Sequence, residues 1–150
     1  KSITIMLKPL IYVLNGPNLN LLGQREPEVY GRLSLEELNA QLANDNPELQ
    51  LDCRQSNHEG DLIDWLQEAA RKGAQGVVLN AGGYSHTSVA IRDAVAAIET
   101  PVFEVHISNI YAREAFREKS LISPVAAGVI CGFGVLGYQF AIEAIKPLDS

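Results

Sequence analysis

The sequence predicts a doubly wound α/β sandwich on three observations: five short apolar runs bounded by turn residues, helix-period segments between them, and 150 residues with 47% hydrophobic content. That length suits one packed domain spanning 1–150, with 1–9 as an extension leading into the first strand. The apolar runs lie at 10–14, 49–53, 76–79, 101–105 and 125–131, and each reads as a strand buried on both faces. Between them come helical patterns: 34–43, where Ser34 and Glu37 form a capping box; 61–72, capped by Asp61; and 88–98. A short helix is expected at 113–119 and a last one at 136–145, while Asn44, Asp45, Asn46 and Pro47 read as a helix stop. Strand and helix alternate about five times, which requires right-handed crossovers and a five-stranded parallel sheet with helices on both faces, the flavodoxin-like type.

Twelve basic against eighteen acidic residues give a formal charge of -6, with no block of like charge to follow a nucleic-acid backbone or an anionic membrane. No apolar run reaches the roughly 18 to 20 residues that span a bilayer, and no signal-peptide pattern opens the chain, so the expected compartment is the cytoplasm. Met6 is expected as the natural start. Cys53 and Cys131 are far apart in strand-like segments and read as free core thiols.

In doubly wound sheets ligands gather outside the carboxyl ends of the strands. After the first strand stand Asn15, Gly16, Pro17, Asn18 and Asn20, then Arg25, Glu26 and Tyr30. An arginine close to a tyrosine on a Gly/Pro-punctuated loop can make the phenol a base: an isolated tyrosine titrates near pH ~10, and a neighbouring cation, Arg25 as first candidate and Arg113 as second, favours its phenolate. Pro27 and Gly31 bracket a segment, 24–30, expected to close over a ligand as a mobile lid. After the second strand come His58 and Glu59, which read as capping or supporting groups before a helix. The third strand delivers Asn80 into a Gly/Ser-rich turn containing His86. The fourth ends in Glu104, Val105 and His106, where alternation turns Glu104 and His106 to one side, so the carboxylate can fix the imidazole's tautomer and orientation. Ile107, Ser108, Arg113 and Arg117 follow. Arg32, Arg71 and Arg92 read as solvated helix-flanking charges, and Trp65 as part of a helix's apolar face.

Five ordered blocks at these strand ends closely resemble type II 3-dehydroquinate dehydratase: LNGPNLNLLG with REPEVYG, RQSNHEG, NAGGYSHTSVAIRDA, EVHIS and ISPVAAGVICGFG. The resemblance implies reversible dehydration of 3-dehydroquinate to 3-dehydroshikimate, a step of the shikimate and quinate pathways, by anti elimination through an enolate without cofactor or metal. By motif, Tyr30 is implied as the base, Arg25 as the group favouring its ionised form, Asn18 as the holder of a water against the enolate oxygen, and His106, oriented by Glu104, as the acid. Ile107 and Ser108 match the family's carboxylate clamp, Asn80, His86 and Arg117 its contacts to ring hydroxyls, and Arg113 a support for the lid and the site's charge. In the family the aspartate matching Asp93 reaches a neighbouring subunit's site, and twelve subunits assemble as four trimers. The resemblance therefore implies a dodecamer.

Other readings fit the residues less well. A non-catalytic module for flavin mononucleotide needs hydroxyl side chains after the first strand, yet 15–23 hold no Ser or Thr, and a receiver needs an aspartate where Asn80 stands. Schiff-base dehydration needs a lysine at a strand end, but Lys1, Lys8, Lys72, Lys119 and Lys146 all fall elsewhere. Three dispersed histidines without a paired ligand motif argue against a metal hydrolase.

Overall fold

The computed structural model describes residues 7–147; the expected start at Met6 lies outside them. Five strands, β1 (Leu10–Asn15), β2 (Gln50–Gln55), β3 (Gly76–Asn80), β4 (Val102–His106) and β5 (Gly128–Cys131), form one parallel sheet in the order β2-β1-β3-β4-β5. Alternation along β1 sends Ile11 and Val13 to one face and Tyr12 and Leu14 to the other, all fully buried. Helices α2 (Leu35–Asp45) and α5 (Leu136–Ile145) cover the first face, bringing Leu38, Leu42, Ala141, Ile142 and Ile145 into one apolar layer. On the second face α3 (Glu59–Arg71) and α4 (Val89–Ala97) add Leu62, Leu66, Ala69, Ile91 and Val95. This is the flavodoxin-like sandwich read from the sequence. No helix of the described residues is long and apolar enough to cross a membrane.

Local chemistry explains where the helices begin and end. Ser34 Oγ accepts from the Glu37 amide at 3.1 Å while Glu37 Oε1 accepts from the Ser34 amide at 3.2 Å, the reciprocal box that opens α2 and contributes about 1 kcal/mol. Asn46 ends α2: buried, it donates to the Leu42 carbonyl at 2.8 Å and exchanges hydrogen bonds with Gln139 of α5. Asp61 is not the cap expected for α3, which begins two residues earlier; its carboxylate accepts from Ser56 Oγ at 2.6 Å, and that same oxygen takes the His58 amide at 2.9 Å. Ser88 caps α4 through the Ile91 amide and donates to Glu59, which ties the starts of the two neighbouring helices together.

Three expectations change. The outer strands β2 and β5 are half-buried, with Val129 42% exposed, because each has a neighbour on one side only. β5 begins at Gly128, since Pro124 sits in a 3₁₀ turn at Ser123–Val125. The helix expected at 113–119 is replaced by 3₁₀ turns at Ile110–Ala112 and Ala115–Glu118. Cys53 and Cys131 are free, as read, but half-buried on those outer strands; burial pushes the Cys53 thiol up to about 11.

From β1 the chain turns one way to β2 and then the other way to β3, so the strand order reverses at the carboxyl ends of β1 and β3. Asn15 and Asn80 are register partners there. Gly16 follows, its amide donating to the Asn80 carbonyl at 2.8 Å, and a Cβ at this position would stand 2.7 Å from the Ala81 carbonyl oxygen. Only glycine lets the two strand exits approach this closely, and their approach forms the rim of the site.

Candidate active site

A cleft opens at this strand-order reversal. Pro17, Asn18 and Leu19 come from the β1 exit, Arg25 and Tyr30 from the segment that follows, and Asn80, Gly82, Gly83 and His86 from the β3 exit. The β4 exit contributes His106, Ile107, Ser108, Ile110, Arg113 and Arg117. The sequence-derived candidates therefore meet in one place, with two exceptions. Glu104 lies behind His106 in the buried end of β4, and Asp93 stands on α4, 62% exposed and paired with Arg92 at 2.9 Å, away from the cleft.

Three arginines, two histidines and a tyrosine line the cleft without any carboxylate, although the whole chain carries a formal charge of -6. This local reversal of sign suits an anionic ligand. The amides of Ile107 and Ser108 donate to no other backbone carbonyl among the described residues, which leaves two directed donors for a carboxylate.

Tyr30 ends α1 (Pro27–Tyr30), a single helical turn inside the expected lid, with Glu26 before it at φ 41° and Gly31 after it at φ 86°. Its phenol oxygen accepts from Arg113 Nη1 at 2.7 Å, and Arg113 also donates to Ser108 Oγ at 3.2 Å. Both guanidiniums lie over the tyrosine ring, Arg113 at 5.2 Å and Arg25 at 5.4 Å from its centroid. The sequence reading placed Arg25 first as the partner of the phenol. Arg25 instead turns its charge toward the ring and toward Glu26 at 3.6 Å, and Arg113, held by Ser108 and with its side chain only 15% exposed, meets the oxygen.

The other half of the site is built on β4. Glu104 is fully buried and bonds to His106 Nε2, while Ser120 Oγ donates to it at 2.7 Å and Ser123 Oγ at 2.6 Å. Burial alone would raise the Glu104 carboxyl, but the hydrogen bonds from His106, Ser123 and Ser120 and the charge attraction of His106 outweigh it and hold the carboxyl below its ordinary value. An ionised carboxylate can only accept, so His106 Nε2 carries a hydrogen and the ring's other nitrogen is the one available to the cleft. His86 is fixed in a comparable way: a carbonyl also only accepts, so Nδ1, 2.9 Å from the Lys119 carbonyl, carries a hydrogen and Nε2 is free. The two imidazoles stack with centroids 6.1 Å apart.

Ser120 and Ser123 escaped the sequence reading, although Ser123 falls in one of the blocks that carry the family resemblance. The segment that bears them also supplies the Lys119 carbonyl to His86 and the Leu121 amide to the Ser85 carbonyl, so one short stretch orients both histidines. His58 makes no side-chain cap, and Glu59 binds Ser88; both stay outside the cleft lining.

Comparison with known proteins agrees with this geometry. The sequence profile of the dehydroquinase class II family matches residues 9–146. The 3-dehydroquinate dehydratase 1 of Agrobacterium fabrum is 56% identical over 143 residues, 94% of this chain and 98% of that protein. Among solved structures, type II dehydroquinase from Butyrivibrio crossotus superposes with a TM-score of 0.90 at 44% identity, covering 93% of this chain and 98% of that one. The type II dehydroquinase of Propionibacterium acnes gives 0.88 at 41% identity over 95% and 98%. On sequence and fold together, the chain belongs to the class II dehydroquinase family.

Proposed function

We propose that this chain dehydrates 3-dehydroquinate reversibly to 3-dehydroshikimate in the shikimate pathway, a hydro-lyase with Tyr30 as base and His106 as acid. The observation that carries these roles is the pairing of two differently equipped groups in one cleft: a phenol held by a guanidinium at 2.7 Å, and an imidazole held by a buried carboxylate. Phenolate takes the hydrogen from the carbon beside the ketone, and the electron pair passes to the carbonyl oxygen as an enolate. Asn18, which lines the cleft in a left-handed turn, holds a water against that oxygen. As the ketone re-forms, the carbon–oxygen bond at the β carbon breaks, and His106 gives its proton to the departing hydroxide, which leaves as water. The amides of Ile107 and Ser108 receive the substrate carboxylate, and Asn80, His86 and Arg117 contact its ring hydroxyls. Positioned acid and base groups of this kind typically contribute about 10² to 10⁴-fold each.

The exposed place of Asp93, away from its own cleft, suits a role in a neighbouring subunit's site and hence assembly as trimers within a dodecamer. The reaction is tested by mixing purified protein with 3-dehydroquinate and following the absorbance of the conjugated enone. A rise unaffected by EDTA is expected; a flat trace would overturn the reading, and trapping of a covalent adduct by borohydride would replace it with Schiff-base chemistry.

The two arginines separate by experiment. Arg113→Ala removes a charge-assisted hydrogen bond from the base and is expected to lower kcat/KM by about tenfold to a hundredfold. Arg25→Ala, which takes from Tyr30 a contact with the ring face and no hydrogen bond to its oxygen, is expected to cost less. A larger loss for Arg25→Ala would restore Arg25 as the principal partner of Tyr30.

A further inference from the structure

The side-chain amide of Asn80 lines the floor of the cleft, and its orientation is set from below. Tyr138, on α5, is fully buried in the apolar layer with Val13, Val78 and Val105, and its hydroxyl reaches the sheet edge where β1 and β3 end. There it donates to Asn15 Oδ1 at 2.5 Å and accepts from Asn80 Nδ2 at 2.9 Å. Burial pushes this phenol well above its ordinary range, so it keeps its one hydrogen. Because that hydrogen goes to Asn15, the hydroxyl can only accept from Asn80, and Asn80 must turn its NH₂ group downward. The other end of the amide agrees: Asn80 Oδ1 accepts from the Gly82 amide at 3.1 Å. Reversing the amide would set its NH₂ against the Gly82 N–H and face a carbonyl toward a hydroxyl whose hydrogen is committed.

A phenylalanine would fill the same apolar space but leave Asn15 Oδ1 and Asn80 Nδ2, both buried, without this partner, so the hydroxyl serves the two amides and not the packing. What the hydroxyl adds is direction. With one N–H and one lone pair engaged, Asn80 has one N–H and one lone pair left for a ligand, the complement of a hydroxyl group, which both donates and accepts.

We propose that Tyr138 is a positioning residue for the dehydration reaction: its hydroxyl fixes the direction of the Asn80 amide and thereby the contact of Asn80 with a ring hydroxyl of the substrate. The inference rests on the reading of Asn80 as a substrate contact. Its test compares Tyr138→Phe, Asn80→Ala and the double variant by kcat, KM and thermal melting. Each single variant is expected to raise KM by roughly tenfold with kcat within about threefold, and the double variant to be no worse than Asn80→Ala alone, since both disturb one contact. A purely structural Tyr138 would lower the melting temperature, leave KM unchanged and add its effect to that of Asn80→Ala; that outcome overturns the proposal. If Tyr138→Phe does not fold, Asn15→Ala provides the second route. It releases the phenol's hydrogen to turn toward Asn80, so KM should again rise, and an unchanged KM would count against the proposal. An unchanged KM in Asn80→Ala itself would refute the reading of Asn80 as a contact, and the role of Tyr138 with it.

Discussion

Tyr30→Phe is expected to lower kcat by about 10² to 10⁴-fold while KM stays within a few-fold of the wild type. The substitution is informative because so little else changes. The ring keeps its contacts with the guanidiniums of Arg25 and Arg113, which lie 5.4 Å and 5.2 Å from its centroid. Lost are the oxygen that takes the proton and the 2.7 Å hydrogen bond from Arg113. Arg113 retains Ser108 Oγ at 3.2 Å as a partner and is not left stranded by the change. A hydrogen α to a ketone is weakly acidic, so without a base the enolate does not form at a useful rate, however well the substrate is bound. Steady-state kinetics on the enone signal give the answer. A variant within about tenfold of the wild type would assign the base to another group.

How much of this was legible in the chain depends on the distance between the residues that meet. The strands and the cap of α2 were legible because their signals are local: Ser34 and Glu37 lie three residues apart, and the apolar runs lie between turn residues. The gathering of Tyr30, Asn80, His86 and His106 at one edge followed from topology, since a doubly wound sheet places every strand exit on the same side. Pairings across that edge were legible only in part: the sequence offered both Arg25 and Arg113 for the phenol and put Arg25 first. Arg113 reaches Tyr30 across 83 residues, from between two 3₁₀ turns that stand where a helix was expected, a packing outcome with no local signature. Ser120 and Ser123 meet Glu104 only after the chain has left β4, looped out and returned to begin β5. Asp61 misled for the opposite reason: it fits the local cap pattern, but Ser56, five residues earlier, captured its carboxylate.

His106→Ala is expected to lose elimination by a similar factor yet keep the first half of the reaction. Glu104 holds a hydrogen on the imidazole nitrogen it faces, so a proton given up by the ring leaves through the other nitrogen, toward the cleft. That proton is needed when the carbon–oxygen bond breaks, because hydroxide is a poor leaving group and water a good one. It is not needed when Tyr30 removes the α hydrogen. In deuterated water the His106→Ala variant should therefore still exchange the α hydrogen of recovered 3-dehydroquinate for deuterium, seen by NMR, while the enone signal falls by about 10² to 10⁴-fold. Tyr30→Phe should lose exchange and elimination together. Removing the imidazole also strips Glu104 of one of its three side-chain partners, leaving Ser120 and Ser123 to hold a buried carboxylate, so some loss of thermal stability is expected as well. His106→Gln, which keeps a donor near the carboxylate but cannot supply an acidic proton, separates the two effects: it should recover stability without recovering turnover. Intact turnover in His106→Ala would remove the residue from the mechanism, and loss of α exchange along with elimination would move it to the enolisation step, as a partner of the base rather than the acid of departure.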